Sequence, residues 1–276
     1  ERKGRTMAVS LAPVTEEQVL SFQENGYAQF DDVLTPEELS DFRSALADAT
    51  DQAELGYFYR EGGEYTQHVN LWASHAGVRR HVFNRKLAEI ARRLSRSERV
   101  RLWHDQLIVK MPGNDPSRWH QDLPIWPMID AGPLTCWLAL VDVTVEMGCM
   151  SFLPGSHRWG RLACGTLPSQ LLATVEGVRL LVPEDKRDRL QPVTIELKAG
   201  SCTFHDSLTL HYAGPNQTDK PRQGFIINYM PNDVRFSGRN HVTTDPLNLA
   251  VGEPIAGEIF PILAPPDQTE IAQARR

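Results

Sequence analysis

The apolar and polar positions of this chain follow two rhythms, helical up to about residue 100 and strand-like beyond it. Thr15-Glu-Glu-Gln18 has the form of a capping box, and Val19, Leu20 and Phe22 make an apolar stripe behind it. Asn25-Gly26 ends that helix, because glycine takes the left-handed C′ position at little cost. Tyr27 to Val33 alternates and predicts a short strand. A second helix opens at Thr35-Pro36-Glu37-Glu38, with Thr as N-cap, Pro at the first turn and acids at the positive end of the dipole. It runs to about Ala49 with Leu39, Phe42 and Leu46 inward. Residues 51–66 are polar and glycine-rich yet carry Tyr57, Phe58, Tyr59 and Tyr65, a loop that serves as a substrate wall or as packing over the core. After the short apolar run Val69 to Trp72, the spacing predicts one basic helix over about Gly77 to Leu94. Its buried face is Val78, Val82, Leu87, Ile90, Ala91 and Leu94, and its arginines form a solvated face.

Beyond residue 100 short apolar runs alternate with turn signals. Strands are expected over Arg101–Met111, Ser117–Asp122, Thr135–Val143, Gly148–Leu153, Gln191–Leu197, Ser201–Phe204, Leu208–Tyr212 and Gly224–Met230. Such a series argues for a sandwich or barrel. Residues 160–192 are a weakly patterned insertion with one or two short helices, and the Pro-, Gly- and Asn-rich tail after Pro231 is expected to wrap the core. The domain reading is therefore one unit, 1–276: helical support over 7–100, a β core over 101–231 and a tail over 232–276.

The chain has 276 residues, 41% hydrophobic and 23% charged, which is ordinary for a soluble protein with a sizeable core. A net charge of −6 argues against a nucleic-acid partner. No apolar run approaches the ~20 residues of a membrane span, and the basic start lacks the apolar stretch of a secretory signal. Cys136, Cys149, Cys164 and Cys202 form no CxxC pair, so a zinc ribbon or redox motif is unsupported and the cytoplasm is the expected compartment.

Against this background one stretch carries chemistry: Trp119-His120-Gln121-Asp122. Residues two apart on a strand share a face, so His120 and Asp122 can reach one metal, and His211 on a later strand is the candidate third ligand. Two His and one carboxylate with open positions form the facial triad of non-haem Fe(II) oxygenases. Arg222, eleven residues after His211 in a strand-like run, suits a carboxylate held bidentately. His104-Asp105 and His205-Asp206 are adjacent pairs on opposite strand faces, poor chelators expected in turns or core. His157 is expected to fix its Pro-Gly turn, and His75, His81 and His241 to lie on the surface. There is no G-x-S-x-G elbow, G-x-G-x-x-G, Walker loop or H-E-x-x-H. A cupin-like protein with a non-catalytic metal site, or an enzyme using Zn(II) or Mn(II), stays open, since ligand type alone does not choose the metal.

Several runs together resemble the phytanoyl-CoA dioxygenase family. They are Phe22-Gln-Glu-Asn-Gly-Tyr27, Leu34-Thr-Pro-Glu-Glu38, His120-Gln-Asp-Leu123, Cys136-Trp-Leu-Ala-Leu140, Glu146 to His157 (EMGCMSFLPGSH), then His211 and Arg222. The resemblance covers roughly residues 15–231. It implies a mainly β fold with flanking helices around a double-stranded β-helix, that is, a jelly-roll, cupin-like core. It also implies an Fe(II)- and 2-oxoglutarate-dependent oxygenase, with ascorbate as activator in vitro and O2 and a small molecule as reactants. By position, His120, Asp122 and His211 would bind Fe(II), Arg222 the distal carboxylate of 2-oxoglutarate, and Trp137, Gln106 and His68 other parts of the cosubstrate. One departure is Ala213, where phytanoyl-CoA hydroxylases place a serine; Thr135 or Tyr229 is a candidate replacement hydroxyl. The retained Asp122 argues for hydroxylation or another oxidation over halogenation, because related halogenases replace this carboxylate with a small residue. Candidate substrate walls are Tyr57, Phe58, Tyr59, Trp72, Trp126, Met128, Met230 and the 160–192 insertion. An aromatic, Met-bearing mouth suits a largely apolar small molecule such as a secondary metabolite. An acyl-CoA is the alternative, but the scattered arginines near 79–101 and 186–189 form no clear phosphate cradle.

Overall fold

Thr15 caps the first helix as its sequence dictates. In the computed structural model, which describes residues 14–51, 59–60, 63, 65–164 and 171–264, Thr15 Oγ1 accepts the Gln18 N–H while Gln18 Oε1 accepts the Thr15 N–H. Helix α1 (Glu16–Asn25) ends at Gly26 with φ 81°. Glycine is needed there twice over, since a Cβ would also lie 2.4 Å from His157 Nδ1 and from Thr209 Oγ1. His157 ties its own turn to this helix end, its Nε2 lying 3.1 Å from Gln23 O. Strand β1 (Tyr27–Phe30) is shorter than the alternation suggested. Helix α2 (Pro36–Asp51) repeats the capping box with Thr35 and Glu38. The strands β2 (Tyr59–Arg60) and β3 (Thr66–Val69) then lead into the single turn α3 (Leu71–Ser74).

The one basic helix expected over 77–94 is two, α4 (Ala76–Val82) and α5 (Arg85–Ser95). Asn84 makes the break: its side-chain oxygen accepts the N–H groups of Lys86 and Leu87 and starts a new helix. The predicted apolar face is buried throughout. His81 is not on the surface: it is buried, stacked on Phe42 at 4.3 Å, with Nε2 2.9 Å from Asp41. Arg92 is also buried, and Glu89 neutralises it through two hydrogen bonds of 2.8 Å. His75 accepts the Val78 N–H and so caps α4, and His241 packs its ring against Trp103.

The remaining strands are β4 (Val100–Lys110), β5 (Leu134–Ala139), β6 (Met150–Phe152), β7 (Val193–Ile195), β8 (Cys202–Asp206), β9 (His211–Ala213), β10 (Arg222–Pro231) and β11 (Ile262–Ala264). The larger sheet runs β1-β8-β5-β10-β4-β3-β2, with β11 also on β4, and the smaller runs β7-β6-β9; all pairs are antiparallel. This is a mainly β jelly-roll with flanking helices.

Period-two alternation explains why the central strands look apolar throughout: both faces of the larger sheet are covered. Cys136, Leu138, Phe204, Phe225 and Ile227 face the helices and pack with Phe42, Leu87 and Leu94. Trp137, Ile226 and Ile108 face the smaller sheet and pack with Met150, Phe152 and Ile195. From the segment after Pro231, Val234, Phe236, Ile255 and Phe260 pack with Trp103. Within the insertion, α6 (Val175–Arg179) and its neighbours seat Leu172, Val178 and Val182 against Trp119 and Leu210, which supports the ligand segment from behind.

Candidate active site

The segment bearing His120 and Asp122 is not the regular strand expected from its alternation. It is extended chain joined to β9 by a single bridge, His120 and His211 exchanging two backbone hydrogen bonds of 3.0 Å. Regular pairing stops because the chain turns immediately: the N–H groups of Asp122 and Leu123 both donate to Ser207 O. The spacing argument survives this change. Gln121 points away, its amide donating to Gly160 O and Leu208 O and accepting from Leu162 N–H. His120 and Asp122 point together, and the bridge places His211 beside them. One ligand atom from each of the three lies within 4.8 Å of the other two.

The donor atoms are already oriented. His120 Nδ1 is 2.8 Å from Arg118 O and His211 Nδ1 is 2.9 Å from Thr209 O, so each Nδ1–H donates to a carbonyl and leaves Nε2 with its lone pair. Asp122 Oδ1 lies 3.7 Å from both Nε2 atoms. Burial lowers the pKa of His120 and His211 to about 4, with neighbouring imidazoles adding to the shift. Burial would raise the pKa of Asp122, but His211, His205 and His120 outweigh it and hold the carboxyl below its usual range. At neutral pH the cluster is therefore two neutral imidazoles and one carboxylate, the protonation state in which all three can bind a metal. These donors fit divalent iron and leave positions open on one side.

The other end of the same cavity, about 310 Å³ in volume, is built around Arg222. The side chain is buried, and Nη1 donates to Gly148 O while Nε meets no hydrogen-bond partner among the described residues. Burial draws its pKa down to about 10, and the guanidinium carbon stands 5.1 Å from the centroid of Trp137. The wall between Arg222 and the ligand cluster includes Ile108, Met150, Ala213 and Ile226. A buried cation that shares one cavity with the His120, Asp122 and His211 cluster fits an elongated dicarboxylate such as 2-oxoglutarate.

Of the other residues expected at the site, Gln106, Trp137 and Trp126 line the cavity. His68 does not: Gln67 of β3 and Tyr65 just before it line the cavity, and a neighbour one residue away on a strand faces the other side. Trp72 lies in the core behind the larger sheet, under the Arg79 guanidinium at 5.0 Å. Met128 and Met230 are buried with Trp103 in the cluster that backs Trp126. Tyr57 and Phe58 lie outside the described residues, and the side chain of Tyr59 is not described. Neither hydroxyl suggested to replace the missing serine stands beside Ala213. Thr135 faces Asp122 and Tyr229 faces the helices, whereas Tyr65 and Ser117 are the other hydroxyl-bearing side chains on the cavity wall.

His205 escaped the sequence reading, which weighed only its adjacency to Asp206. It lines the cavity, with Nε2 3.4 Å from Asp122 Oδ2 and its ring centroid 4.3 Å from that of His211. The alternation of β8 was a usable signal, because apolar Cys202 and Phe204 claim one face and leave Thr203 and His205 on the face of the metal ligands.

A family model described as phytanoyl-CoA dioxygenase (PhyH) matches residues 22–224. The chain is 27% identical over 240 residues to a probable alpha-ketoglutarate-dependent hypophosphite dioxygenase of Stutzerimonas stutzeri, covering 79% of each chain. It is similar to the crystal structure of the non-heme alpha ketoglutarate dependent carbocyclase SnoK from nogalamycin biosynthesis, with a TM-score of 0.76 and 27% identity over 91% of this chain and 97% of that one. A TM-score of 0.76 and 27% identity also relate it to the epimerase SnoN in complex with Fe3+, alpha ketoglutarate and nogalamycin RO, over 90% of this chain and 98% of that one.

Proposed function

The chain belongs to the phytanoyl-CoA dioxygenase family and is an Fe(II)- and 2-oxoglutarate-dependent dioxygenase, and from that premise we propose that it oxidises a largely apolar small molecule such as a secondary metabolite. The observation that carries this reading is a single cavity with a two-His, one-Asp cluster and a buried arginine. In it His120, Asp122 and His211 hold Fe(II), and Arg222 pairs with the distal carboxylate of 2-oxoglutarate. Iron so held supplies oxygen activation coupled to decarboxylation of 2-oxoglutarate to succinate and CO2.

The chain's own residues bind, orient and exclude water. Trp137 seats the guanidinium of Arg222 from one side, and Gly148 O holds it from another. Ile108, Met150 and Ile226 keep the slot dry, which strengthens the charge pairing at its end. Towards the mouth, Ile125 and Trp126 offer apolar surface to the substrate, with Arg118 the charged residue beside them. Arg161 and Arg239 hold the loop that carries those two residues by donating to the carbonyls of Leu123, Met128 and Ile129 and of Pro124. Asp122 would supply a carboxylate to the iron, where related halogenases carry a small residue, and this favours hydroxylation, cyclisation or epimerisation over halogenation.

Similarity to SnoK and SnoN favours a free natural-product intermediate. The acyl-CoA alternative is weaker, because among the described residues that line the cavity Arg118 and Arg222 are the only lysine or arginine side chains. Four free, buried cysteines fit a reducing cytoplasm. The test is anaerobic calorimetry of 2-oxoglutarate with the Fe(II) protein, followed by succinate release with O2 and ascorbate against a panel of polyketide and glycoside intermediates. Saturable cosubstrate binding and substrate-stimulated succinate support the reading. No binding and no succinate with any panel member would refute it.

A further inference from the structure

The strand register places four buried polar side chains in one row across the larger sheet. His205 on β8 pairs with Thr135 on β5, Thr135 with Asn228 on β10, and Asn228 with His104 on β4. Paired residues share a face, so all four side chains point towards the smaller sheet, directly beneath Asp122. Each is less than 5% exposed. Four adjacent polar groups in a jelly-roll interior are expensive unless they meet partners. Thr135, Asn228 and His104 find partners in one another, in Gln106 and in the outer oxygen of Asp122. Thr135 Oγ1 lies 2.9 Å from Asp122 Oδ2 and 2.7 Å from Asn228 Oδ1. Its single proton goes preferentially to the ionised carboxylate, the stronger acceptor. The Asn228 amide lies 3.2 Å from His104 Nδ1, and so does Gln106 Nε2.

The end of this row next to the metal ligands is incomplete. Among the described residues neither ring nitrogen of the buried His205 meets a hydrogen-bond partner, and Asp122 Oδ2 stands 3.4 Å from Nε2. The rings of His211 at 4.3 Å and Phe152 at 5.4 Å hold the imidazole in that orientation. The two oxygens of Asp122 are thereby separated by task. Oδ1 is equidistant from the two ligand Nε2 atoms, and Oδ2 is enclosed by Thr135 and His205.

We propose that His205 and Thr135 are positioning residues that clamp Asp122 Oδ2, so that Asp122 binds the metal through Oδ1 alone and leaves a further position to the reactants. The inference rests on the assignment of Asp122 as a metal ligand, and its test separates the two ideas. Cobalt(II) serves as the probe, because its visible absorption reports coordination directly and needs no turnover. Affinity and spectrum are recorded for the full chain and for Asp122→Ala, Thr135→Val, Thr135→Ser, His205→Phe and the Thr135→Val/His205→Phe double variant, together with the melting temperature of each metal-free protein.

The expected result is loss of Co(II) binding in Asp122→Ala. Thr135→Val and His205→Phe each weaken affinity by roughly 10-fold and change the spectrum towards two-oxygen carboxylate binding, while Thr135→Ser restores both. The double variant is weakened further. If Asp122→Ala binds Co(II) like the native chain, the ligand assignment itself fails, and this inference with it. If Asp122→Ala loses the metal while the other variants keep native affinity and spectrum, the clamp alone is overturned. A lower metal-free melting temperature with unchanged Co(II) affinity marks a merely structural row and overturns it equally.

Discussion

Gly224 sits inside β10, where a glycine has no conformational purpose, and its replacement tests how tightly the arginine end of the cavity is built. A Cβ at this position would lie 2.2 Å from Cζ2, 2.6 Å from Cε2 and 2.8 Å from Cη2 of Trp137. Ordinary carbon contacts are about 3.5–4.0 Å, so in Gly224→Ala the indole must retreat by more than ~1 Å. It has little room to do so: Trp137 is 2% exposed, packs among Ile108, Met150 and Ile226, and faces the Arg222 guanidinium on its ring. Overpacking of this kind costs about 1–3 kcal/mol, offset by the ~0.5–1 kcal/mol that alanine gains over glycine in a strand. The expected net loss is roughly 1–2 kcal/mol, a fall in Tm of about 2–8 °C by calorimetry at ~2–4 °C per kcal/mol. The displaced indole also moves the seat of Arg222, so the Kd for 2-oxoglutarate should rise about 10-fold, or ~1.4 kcal/mol. Trp137→Phe removes the outer indole ring, and with it Cζ2 and Cη2, from the space that the new methyl needs. In that background Gly224→Ala should cost less than about 0.5 kcal/mol, giving a coupling of roughly 1 kcal/mol in the double-mutant cycle. Equal costs in the two backgrounds, or native 2-oxoglutarate affinity in Gly224→Ala, would refute the reasoning.

Three further outcomes follow from the same geometry. Arg222→Gln should weaken 2-oxoglutarate binding by about 100-fold, ~3 kcal/mol, while leaving anaerobic Fe(II) affinity within about 2-fold; equal loss of both would show that the arginine supports the iron ligands instead. Burial lowers the pKa of His104 from 6.5 to about 3. Because the folded value lies below the unfolded one, stability is complete above pH 6.5 and is lost as pH falls towards 3. At pH 5 this group alone should cost about 2 kcal/mol in urea unfolding, a difference that His104→Gln should abolish. Asp105, also read as a core residue, accepts the N–H groups of Leu71 and Trp72 at 3.0 Å each and so anchors α3 to β4. Asp105→Asn keeps one oxygen for two donors and should lose about 1–3 kcal/mol of stability with cosubstrate affinity unchanged; a native urea midpoint would refute that role.

The helical third of the chain was legible because its signals are local. The capping box at Thr15, the N-cap at Thr35 and the Gly26 stop act within one turn, and each is realised where it was expected. The break at Asn84 was missed because helical periodicity runs on across it, while the cap depends on one side-chain oxygen turning to two N–H groups. In the β region the order of strands was legible and the faces were less so. His68 was chosen where Gln67 and Tyr65 face the cavity, since a slip of one residue in a strand exchanges its sides. Trp72, Met128 and Met230, expected as an aromatic and Met-bearing mouth, pack in the core instead, where large apolar side chains are more often found.

By itself the sequence determined the chemistry on offer: His120 and Asp122 two apart, His211 further along, Arg222 eleven residues beyond it, and enough patterned β chain to hold them. These are matters of residue type and short spacing, which covalent geometry carries directly. Only the tertiary structure decided what surrounds them. It set His205, Thr135, Asn228 and His104 in one row beneath Asp122 although the chain separates His104 from His205 by about a hundred residues. It also laid the Trp137 ring over Gly224 and under Arg222. Register between strands arises from the packing of whole faces and from turn geometry, and neither is written at the positions that the register brings together.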